Sequence, residues 1–268
     1  GRKVYHGRPL IRPLYVQGPP GTGKTFLGLQ ALRFVAKSIC SRDIEWEVVS
    51  LSAQRASVLG GIHIHSLFGF WPGRSCFYST AQQYAASSMA HLSRRPEKKR
   101  WLHSLEVLFI DEMCQVGGPL LLAMDIVLRN VKGNDVPFGG VLVIGAGDHY
   151  QNEPINEMPP LQTSFVQFHF DVVTLTHLFR SRNDQLLQRL IKAIRVPCMT
   201  ATTIEWVLDV LKNPAVCNHI TRPEDAPPDA MWLLPKKVAV NEARKQFYDK
   251  ASSSKAVVAA EDYMLASG

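Results

Sequence analysis

Long apolar runs are missing from the 268-residue sequence, and none approaches the roughly 18 residues that a membrane-spanning helix requires. The basic N-terminal stretch lacks the apolar core and the small-residue cleavage site of a secretory signal. No internal repeat is visible. We therefore expect no membrane partner, in a chain long enough for one large or two modest domains.

Paired cysteines are missing as well. The five cysteines are odd in number and scattered, and none forms a Cys-x-x-Cys pair: Cys40, Cys76, Cys114, Cys198 and Cys217. This spacing argues against a disulfide framework and against a zinc site. It indicates a reducing compartment, nuclear or cytoplasmic, with a mitochondrial location also open.

Acidic residues are scarce in the first part of the chain. Residues 1–104 hold 15 Lys/Arg and 4 Asp/Glu, a net charge of +11, whereas residues 105–268 hold 15 and 19, a net charge of −4. The basic excess indicates a polyanionic partner such as nucleic acid. A solvated basic surface explains the charge equally well.

Apolar segments alternate between strand-like and helix-like patterns. The strand-like runs are "RPLYVQ", "EVVSLSA", "SLEVLFIDE", "GGVLVIGAGD" and "DVVTLTHLFR". The helix-like runs are 26–39, 118–133, 183–195 and 201–213, and a strand followed by a helix is expected in 230–250. This alternation predicts an α/β fold with a doubly wound, mainly parallel sheet. Residues 72–104 are rich in Ser, Ala and Gln and then basic, and we interpret them as an inserted or surface element.

One segment fits the phosphate-loop pattern G-x-x-x-x-G-K-[ST] between a strand and a helix. Its residues are Gly18, Pro19, Pro20, Gly21, Thr22, Gly23, Lys24 and Thr25. Backbone N–H groups and the helix N-terminus bind phosphate in such a loop. We expect Lys24 to reach the β- and γ-phosphates of ATP and the Thr25 hydroxyl to bind Mg²⁺. The alternative is a simple Gly/Pro-rich turn.

Two further strand-like runs end in polar residues. "LFIDE" ends in Asp111, predicted to support Mg²⁺, and Glu112, predicted to activate the attacking water as a general base. "GDHYQ" brings Asp148 and Gln151 to the same edge of a parallel sheet, where Gln151 can sense a γ-phosphate. The alternatives are a helix-capping acidic pair and an ordinary turn.

These motifs, in this order, resemble superfamily 1 helicases, and the intervening segments resemble Pif-type (petite integration frequency) DNA helicases in particular. The resembling stretches include "LSAQRASVLGGIHIHSLFGF", "PFGG" before the sensor strand, and "LTHLFRSRNDQLLQRLIKAIR". Helicases of rolling-circle transposons belong to the same wider family. The resemblance implies RecA-like motor domains and ATP-driven 5′ to 3′ movement on single-stranded or forked DNA.

The resemblance also implies roles for further residues. Arg180 corresponds to an arginine that contacts the nucleotide from a second motor domain; a salt bridge at a domain edge is the alternative. Candidate nucleic-acid contacts are Ser52, Gln54, Arg55, His65, Ser66 and Phe68. Phe68 is equally well explained as a core residue and His65 as a structural histidine. The basic run 94–100 is better explained as a solvated loop than as a phosphate contact.

The sequence also departs from the family. His149, Asn152 and Glu153 replace the usual Phe, Leu and Pro around the sensor, and Glu153 brings a negative charge. The later Thr-x-His-x-x-Gln-Gly and Ser-Arg blocks are not found. We therefore expect a helicase fragment, with motor domain 1 at residues 1–170 and the start of a second RecA-like domain at 171–268.

Three functions follow from these observations. The first is an ATP-dependent DNA helicase motor. The second is a nucleotide-binding remnant that binds without unwinding, and the third is a different phosphate-loop enzyme such as a small-molecule kinase. Stimulation of ATP hydrolysis by DNA separates them, because a kinase would be indifferent to DNA and a remnant would bind nucleotide without turnover.

Overall fold

The computed structural model describes residues 4–5, 8–9, 12–34, 45–70, 80–195, 198–216 and 237–250. The chain divides into two compact units, residues 1–207 and 208–268. A six-stranded sheet organises the first unit. In the second unit the described residues are 208–216 and the helix α10, Lys237–Lys250. None of the described helices combines the length and apolarity that a membrane-spanning segment needs.

The strands have the following bounds: β1 Val4–Tyr5, β2 Arg8–Pro9, β3 Leu14–Gln17, β4 Glu45–Ser50, β5 Ile62–His63, β6 Leu105–Asp111, β7 Leu142–Gly147 and β8 Asp171–Thr174. β1 and β2 form a separate antiparallel pair. The other six strands follow the order β5-β4-β6-β7-β3-β8, and all their pairings are parallel. The predicted mainly parallel α/β sheet is confirmed.

The remaining α-helices are α1 Lys24–Phe34, α2 Ala53–Val58, α3 Ile64–Phe68, α4 Ala81–Ser93, α5 Pro96–Ser104, α6 Gly118–Lys132, α7 Ser164–His169, α8 Gln185–Ile194 and α9 Ala201–Lys212. Short 3₁₀ turns occupy Met113–Gln115, Pro137–Gly140 and Pro160–Gln162. The strand expected just before α10 lies outside the described residues.

Helices cover both faces of the sheet, as a doubly wound fold requires. Alternate residues of β6 enter two different apolar clusters: Val107 and Phe109 pack with Leu32 of α1. Leu108 and Ile110 join the larger cluster that contains α4 and α6. A strand buried on both faces explains why this run is apolar at nearly every position.

The helix α4 belongs to the core, so residues 81–93 are not a surface element. The alternative, that residues 72–104 are an insertion, remains a prediction. The buried residues of α4 are Ala81, Tyr84, Ala85, Ser88 and Leu92. A capping box in which Thr80 and Gln83 bond each other's backbone N–H begins the helix. Most of its buried side chains are small, so α4 enters the core without showing a strong apolar pattern.

The predicted boundary between two domains, after residue 170, remains a prediction. In the structure, β8 follows that boundary and pairs with β3, with Leu14 opposite Asp171 and Gln17 opposite Thr174. β8 therefore forms an edge of the same sheet that carries the phosphate loop.

Candidate nucleotide and nucleic-acid sites

The phosphate loop connects β3 to α1, and the catalytic candidate Lys24 is the first residue of that helix. The Lys24 Nζ donates hydrogen bonds to the carbonyl oxygens of Gly18, at 2.9 Å, and Pro19, at 3.0 Å. Burial lowers the pKa of Lys24, while the nearby carboxylates of Asp148 and Glu112 act in the opposite direction. The ammonium therefore lies folded over the loop, close to two carboxylates.

The segment after β8 packs directly on the loop. Gly21 has a φ of +81°, and a Cβ added to it would lie 2.7 Å from the Cβ of Arg180. The Arg180 N–H donates to the Gly21 carbonyl at 3.2 Å. Among the described residues the exposed Arg180 guanidinium forms no ion pair, so the alternative of a salt bridge is not observed. The structure thus places Arg180 beside the loop.

Asp111 ends β6 next to the loop, as the sequence predicted. Its carboxylate is almost completely buried, and its Oδ1 accepts a 2.7 Å hydrogen bond from the Thr25 hydroxyl. An unexpected side chain completes this group: Arg55 Nε donates to Asp111 Oδ2 at 2.6 Å, and Arg55 Nη2 donates to Thr25 Oγ1 at 3.2 Å. Arg55, a candidate for nucleic-acid contact, therefore lies between the two residues predicted to support the metal.

Glu112 has a strained backbone, with φ of 53° and ψ of 43°. This left-handed conformation is uncommon outside glycine and is found where a site constrains the chain. Burial, followed by repulsion from Asp111, raises the pKa of the Glu112 carboxyl, and Lys24 and Arg55 act in the opposite direction. A carboxylate with a raised pKa accepts a proton more readily, which suits a general base.

Asp148 follows β7 and is completely buried. Arg195, at the end of α8, forms a bidentate pair with it, at 2.6 Å from Nη1 to Oδ2 and 2.8 Å from Nη2 to Oδ1. The Asp148 carboxylate also accepts the Tyr150 N–H at 3.1 Å, and its carbonyl accepts the Gln151 N–H at 3.0 Å. The guanidinium of Arg195 lies 4.7 Å from the centre of the Tyr150 ring. Arg195 therefore holds the turn that carries Gln151.

Gln151 is exposed and lines a cavity of about 110 Å³. Tyr15, Cys114 and His149 line the same cavity. The hydroxyl of Tyr15 is buried and has no hydrogen-bond partner among the described residues. The structure thus brings Gln151 to the predicted end of the sheet, in a turn open to solvent.

A larger open groove, of about 560 Å³, lies at the same end of the sheet. It is lined by Leu51, His65, Tyr84, Gln115, Gly117, Leu120, Asn152, Glu153, Pro154, Ile155 and Glu157. Burial, together with the nearby His63, lowers the pKa of His65 to about 4. His65 is therefore neutral at physiological pH, and Glu153 and Glu157 contribute carboxylates to the groove.

The six candidate nucleic-acid contacts differ in their exposure to solvent. The Ser52 hydroxyl caps α2 by accepting the Arg55 N–H, and Gln54 is exposed on the same helix. Ser66 is exposed as well, and its carbonyl accepts a hydrogen bond from Lys98. Phe68 is different: it is fully buried and stacks on Phe70 at 5.4 Å. We therefore correct the assignment of Phe68, since a buried ring has no face available to a base.

Comparison with known proteins identifies the family of this chain. A family model described as PIF1-like helicase matches residues 9–196. The chain belongs to the PIF1-like helicase family. The ATP-dependent DNA helicase PIF1 of Candida albicans is 28% identical over 251 residues, which cover 87% of this chain and 25% of that protein. The chain thus spans about a quarter of that relative's length.

Solved PIF1-like structures have the same fold. The Candida albicans Pif1 helicase matches with a TM-score of 0.69 at 21% identity, over 91% of this chain and 52% of that one. The Bacteroides Pif1 helicase in complex with ADP-AlF₃ and single-stranded DNA matches with a TM-score of 0.63 at 24% identity, over 91% and 55%. The predicted RecA-like phosphate-loop fold is confirmed.

Within this PIF1-like chain, the "PFGG" run has a structural role that the sequence did not reveal. Phe138 is buried with a φ of 53°, and its N–H donates to Asp125 Oδ1 at 2.6 Å. Arg129 pairs with the other oxygen of Asp125 at 2.8 Å. The run therefore fixes the connection from α6 into β7, the strand that ends at the sensor turn.

Proposed function

We propose that this chain is the nucleotide-binding part of an ATP-dependent DNA helicase that hydrolyses ATP to move on single-stranded DNA. One observation carries the proposal: the carboxyl ends of the neighbouring strands β6, β7 and β3 bring the acidic pair, the sensor turn and the phosphate loop together. Ligands of open parallel sheets bind beside these strand ends.

The residues of the site divide the chemistry of hydrolysis among them. The loop of residues 18–25 binds the phosphates of ATP through the backbone N–H groups of its non-proline residues, and Lys24 neutralises their charge. Glu112 takes the proton of the water that attacks the γ-phosphorus while the bond to the β-phosphate oxygen breaks. Gln151 orients that water, and Arg180 adds positive charge at the γ-phosphate.

Thr25 and Asp111 fit a magnesium ion. Their oxygens lie 2.7 Å apart, and Mg²⁺ prefers hydroxyl, carboxylate and phosphate oxygens as ligands. The ion, when bound, stabilises negative charge on the phosphates. We propose ATP with Mg²⁺ as the cofactor pair of this chain.

Single-stranded or forked DNA is the proposed nucleic-acid partner. The open groove lies at the same end of the sheet. Ser52 and Ser66 directly follow Leu51 and His65, which line the groove. Ser52, Gln54 and Ser66 are exposed. The Bacteroides relative was solved with single-stranded DNA. Movement in the 5′ to 3′ direction rests on the family resemblance, and a DNA-containing compartment, nuclear or mitochondrial, fits this partner.

The decisive test is ATP hydrolysis by the purified chain, with and without single-stranded oligo-dT. We expect DNA to stimulate hydrolysis, and we expect Lys24→Ala to reduce the rate by about 10²-fold or more, because the transferred phosphate loses its neutralising ammonium. Lys212→Ala, at the end of α9, removes an exposed lysine elsewhere and should leave the rate unchanged. Hydrolysis that is equal in wild type and Lys24→Ala would overturn the proposal.

A second candidate function is nucleotide binding without movement on DNA. Glu153, which places a carboxylate in the groove, favours it because that charge repels DNA phosphates. The same assay separates the two functions. Nucleotide binding that requires Lys24, without DNA-stimulated hydrolysis, would indicate the binding module.

A further inference from the structure

Arg55 occupies the position where the proposed function places a metal ion. Its guanidinium bridges Asp111 Oδ2, at 2.6 Å, and the Thr25 hydroxyl, at 3.2 Å. The other oxygen of Asp111 is engaged by Thr25. The Arg55 guanidinium, a cation, therefore already contacts both side chains that are proposed to bind the metal.

This arrangement excludes simultaneous binding of Mg²⁺ in the same place. The ion needs oxygen ligands at about 2.0–2.1 Å in octahedral geometry, and it dehydrates reluctantly. A guanidinium in direct contact with the same oxygens blocks their approach to the ion. It also repels the ion, because two like charges a few ångströms apart interact unfavourably even near a protein surface.

Arg55 can leave this position when another cation takes its place beside Asp111. Its side chain is 41% exposed, whereas that of Asp111 is 1% exposed. Its backbone stays fixed in α2, since the Arg55 N–H donates to the Ser52 hydroxyl at 3.2 Å. Lys24 and Glu112 are the other charged groups beside Arg55, and each has its own proposed role in hydrolysis.

We propose that the Arg55 guanidinium occupies the metal position beside the phosphate loop. When Mg²⁺–nucleotide binds, the guanidinium moves from this position onto a phosphate group. That phosphate belongs either to the nucleotide or to nucleic acid, because guanidinium pairs with both in the same bidentate way. The inference rests on the proposed nucleotide site. It makes Arg55 a residue that sets how strongly nucleotide binding depends on Mg²⁺.

The test compares nucleotide affinity of wild type and Arg55→Met, using a fluorescent ADP analogue in excess Mg²⁺ and again in EDTA. In Mg²⁺ we expect the variant to bind about tenfold more tightly, since the competing cation is gone. In EDTA we expect no such gain, because no metal ion is present for the guanidinium to compete with. Arg129→Met is a matched control, because it also removes an arginine from a buried aspartate, Asp125, away from the loop.

Three further comparisons complete the test. Arg55→Lys keeps the charge but loses the planar fork, and it should give an intermediate Mg²⁺ dependence even if Arg55→Met folds poorly. Oligo-dT that tightens Mg²⁺–ADP binding of wild type but not of Arg55→Met identifies DNA as the phosphate source. A gain in the variant that is smaller than tenfold, without any effect of oligo-dT, identifies the nucleotide, because the variant then also loses a guanidinium–phosphate contact.

Two results would overturn the inference, and they are distinguishable. If wild type binds nucleotide and Lys24→Ala does not, but Arg55→Met binds equally or more weakly in Mg²⁺, Arg55 is not a competitor of the metal. If wild type and Lys24→Ala both fail to bind nucleotide, the proposed site itself is wrong.

Discussion

Two buried aspartates end neighbouring strands, and each is paired with an arginine from a distant part of the chain. The pairs differ in their access to solvent: Arg55 is 41% exposed, whereas Arg195 is 16% exposed and also lies over the Tyr150 ring. An exposed partner can be exchanged for another cation at low cost. A buried partner cannot leave without stranding the carboxylate in an apolar environment. We therefore regard the Arg195 pair with Asp148 as permanent.

Arg195→Met should destabilise the fold by about 3–5 kcal/mol, because it leaves the buried Asp148 carboxylate unpaired. Urea unfolding measures this loss. The double variant Asp148→Asn/Arg195→Met should be more stable than Arg195→Met, since the uncompensated charge is gone. A double variant less stable than Arg195→Met would contradict the argument.

The pair of Asp148 with Arg195 also makes the stability of the fold depend on pH. Burial alone would raise the pKa of Asp148, but hydrogen bonds from Arg195 and Tyr150 and the charges of Arg195 and Lys24 outweigh it and lower the pKa. A pKa lowered in the folded state stabilises the fold above the ordinary carboxyl pKa, and the contribution is lost as the pH falls through the lowered value. The stability difference between wild type and Arg195→Met should therefore shrink as the pH falls through the acidic range toward the lowered pKa of Asp148.

For individual residues, the sequence predicted which ones lie at strand ends, but not which side chains pair with them. Asp111 and Asp148 follow apolar strands, so their place at the sheet edge is readable. Arg55 and Arg195 lie 56 and 47 residues away along the chain from these aspartates. No local pattern encodes such a contact, because the strand order and the path of the connecting helices decide it.

Among the elements, α1 illustrates how close packing positions the site. Gly28 faces β6, and a Cβ added to it would lie 2.2 Å from the ring of Phe109. The helix therefore approaches the sheet more closely than any larger residue would allow. Since Lys24 and Thr25 begin the same helix, this approach also sets the position of the phosphate loop.

Gly28→Ala should destabilise the chain by about 1–3 kcal/mol, because the added methyl group overpacks against Phe109. Helix propensity alone predicts the opposite sign, a gain of nearly 1 kcal/mol. Thermal unfolding decides between them. Gln30→Ala, on the exposed side of the same helix, should change stability by less than about 0.5 kcal/mol. A stabilised Gly28→Ala would show that α1 does not need this close approach.

The strands were more predictable than the helices that cover them. Runs such as "EVLFID" are apolar because both of their faces are buried. Helix α4 escaped prediction since three of its buried residues, Ala81, Ala85 and Ser88, have small side chains that give little apolar signal. Helix α8 was predicted from its periodicity, yet none of its residues is buried within the described part of the chain.

At the scale of the whole molecule, the charge is unevenly distributed between basic and acidic parts. The first 104 residues carry a net charge of +11, but the groove at the sheet edge contains Glu153 and Glu157. His65 is neutral there at physiological pH, because its pKa is about 4. A DNA strand in this groove would therefore meet unfavourable local charge, although the chain as a whole carries a net charge of +7.

Glu153→Gln should raise the affinity for single-stranded oligo-dT by about threefold to tenfold at low salt, because one carboxylate no longer repels the DNA phosphates. Fluorescence anisotropy of labelled oligo-dT measures the affinity, and the gain should diminish as salt screens the charge. Glu205→Gln changes the net charge equally at an exposed position on α9. An equal gain in both variants would mean that only net charge matters. No gain from Glu153→Gln would place the DNA path outside the groove, since a carboxylate lining that path must oppose the bound phosphates.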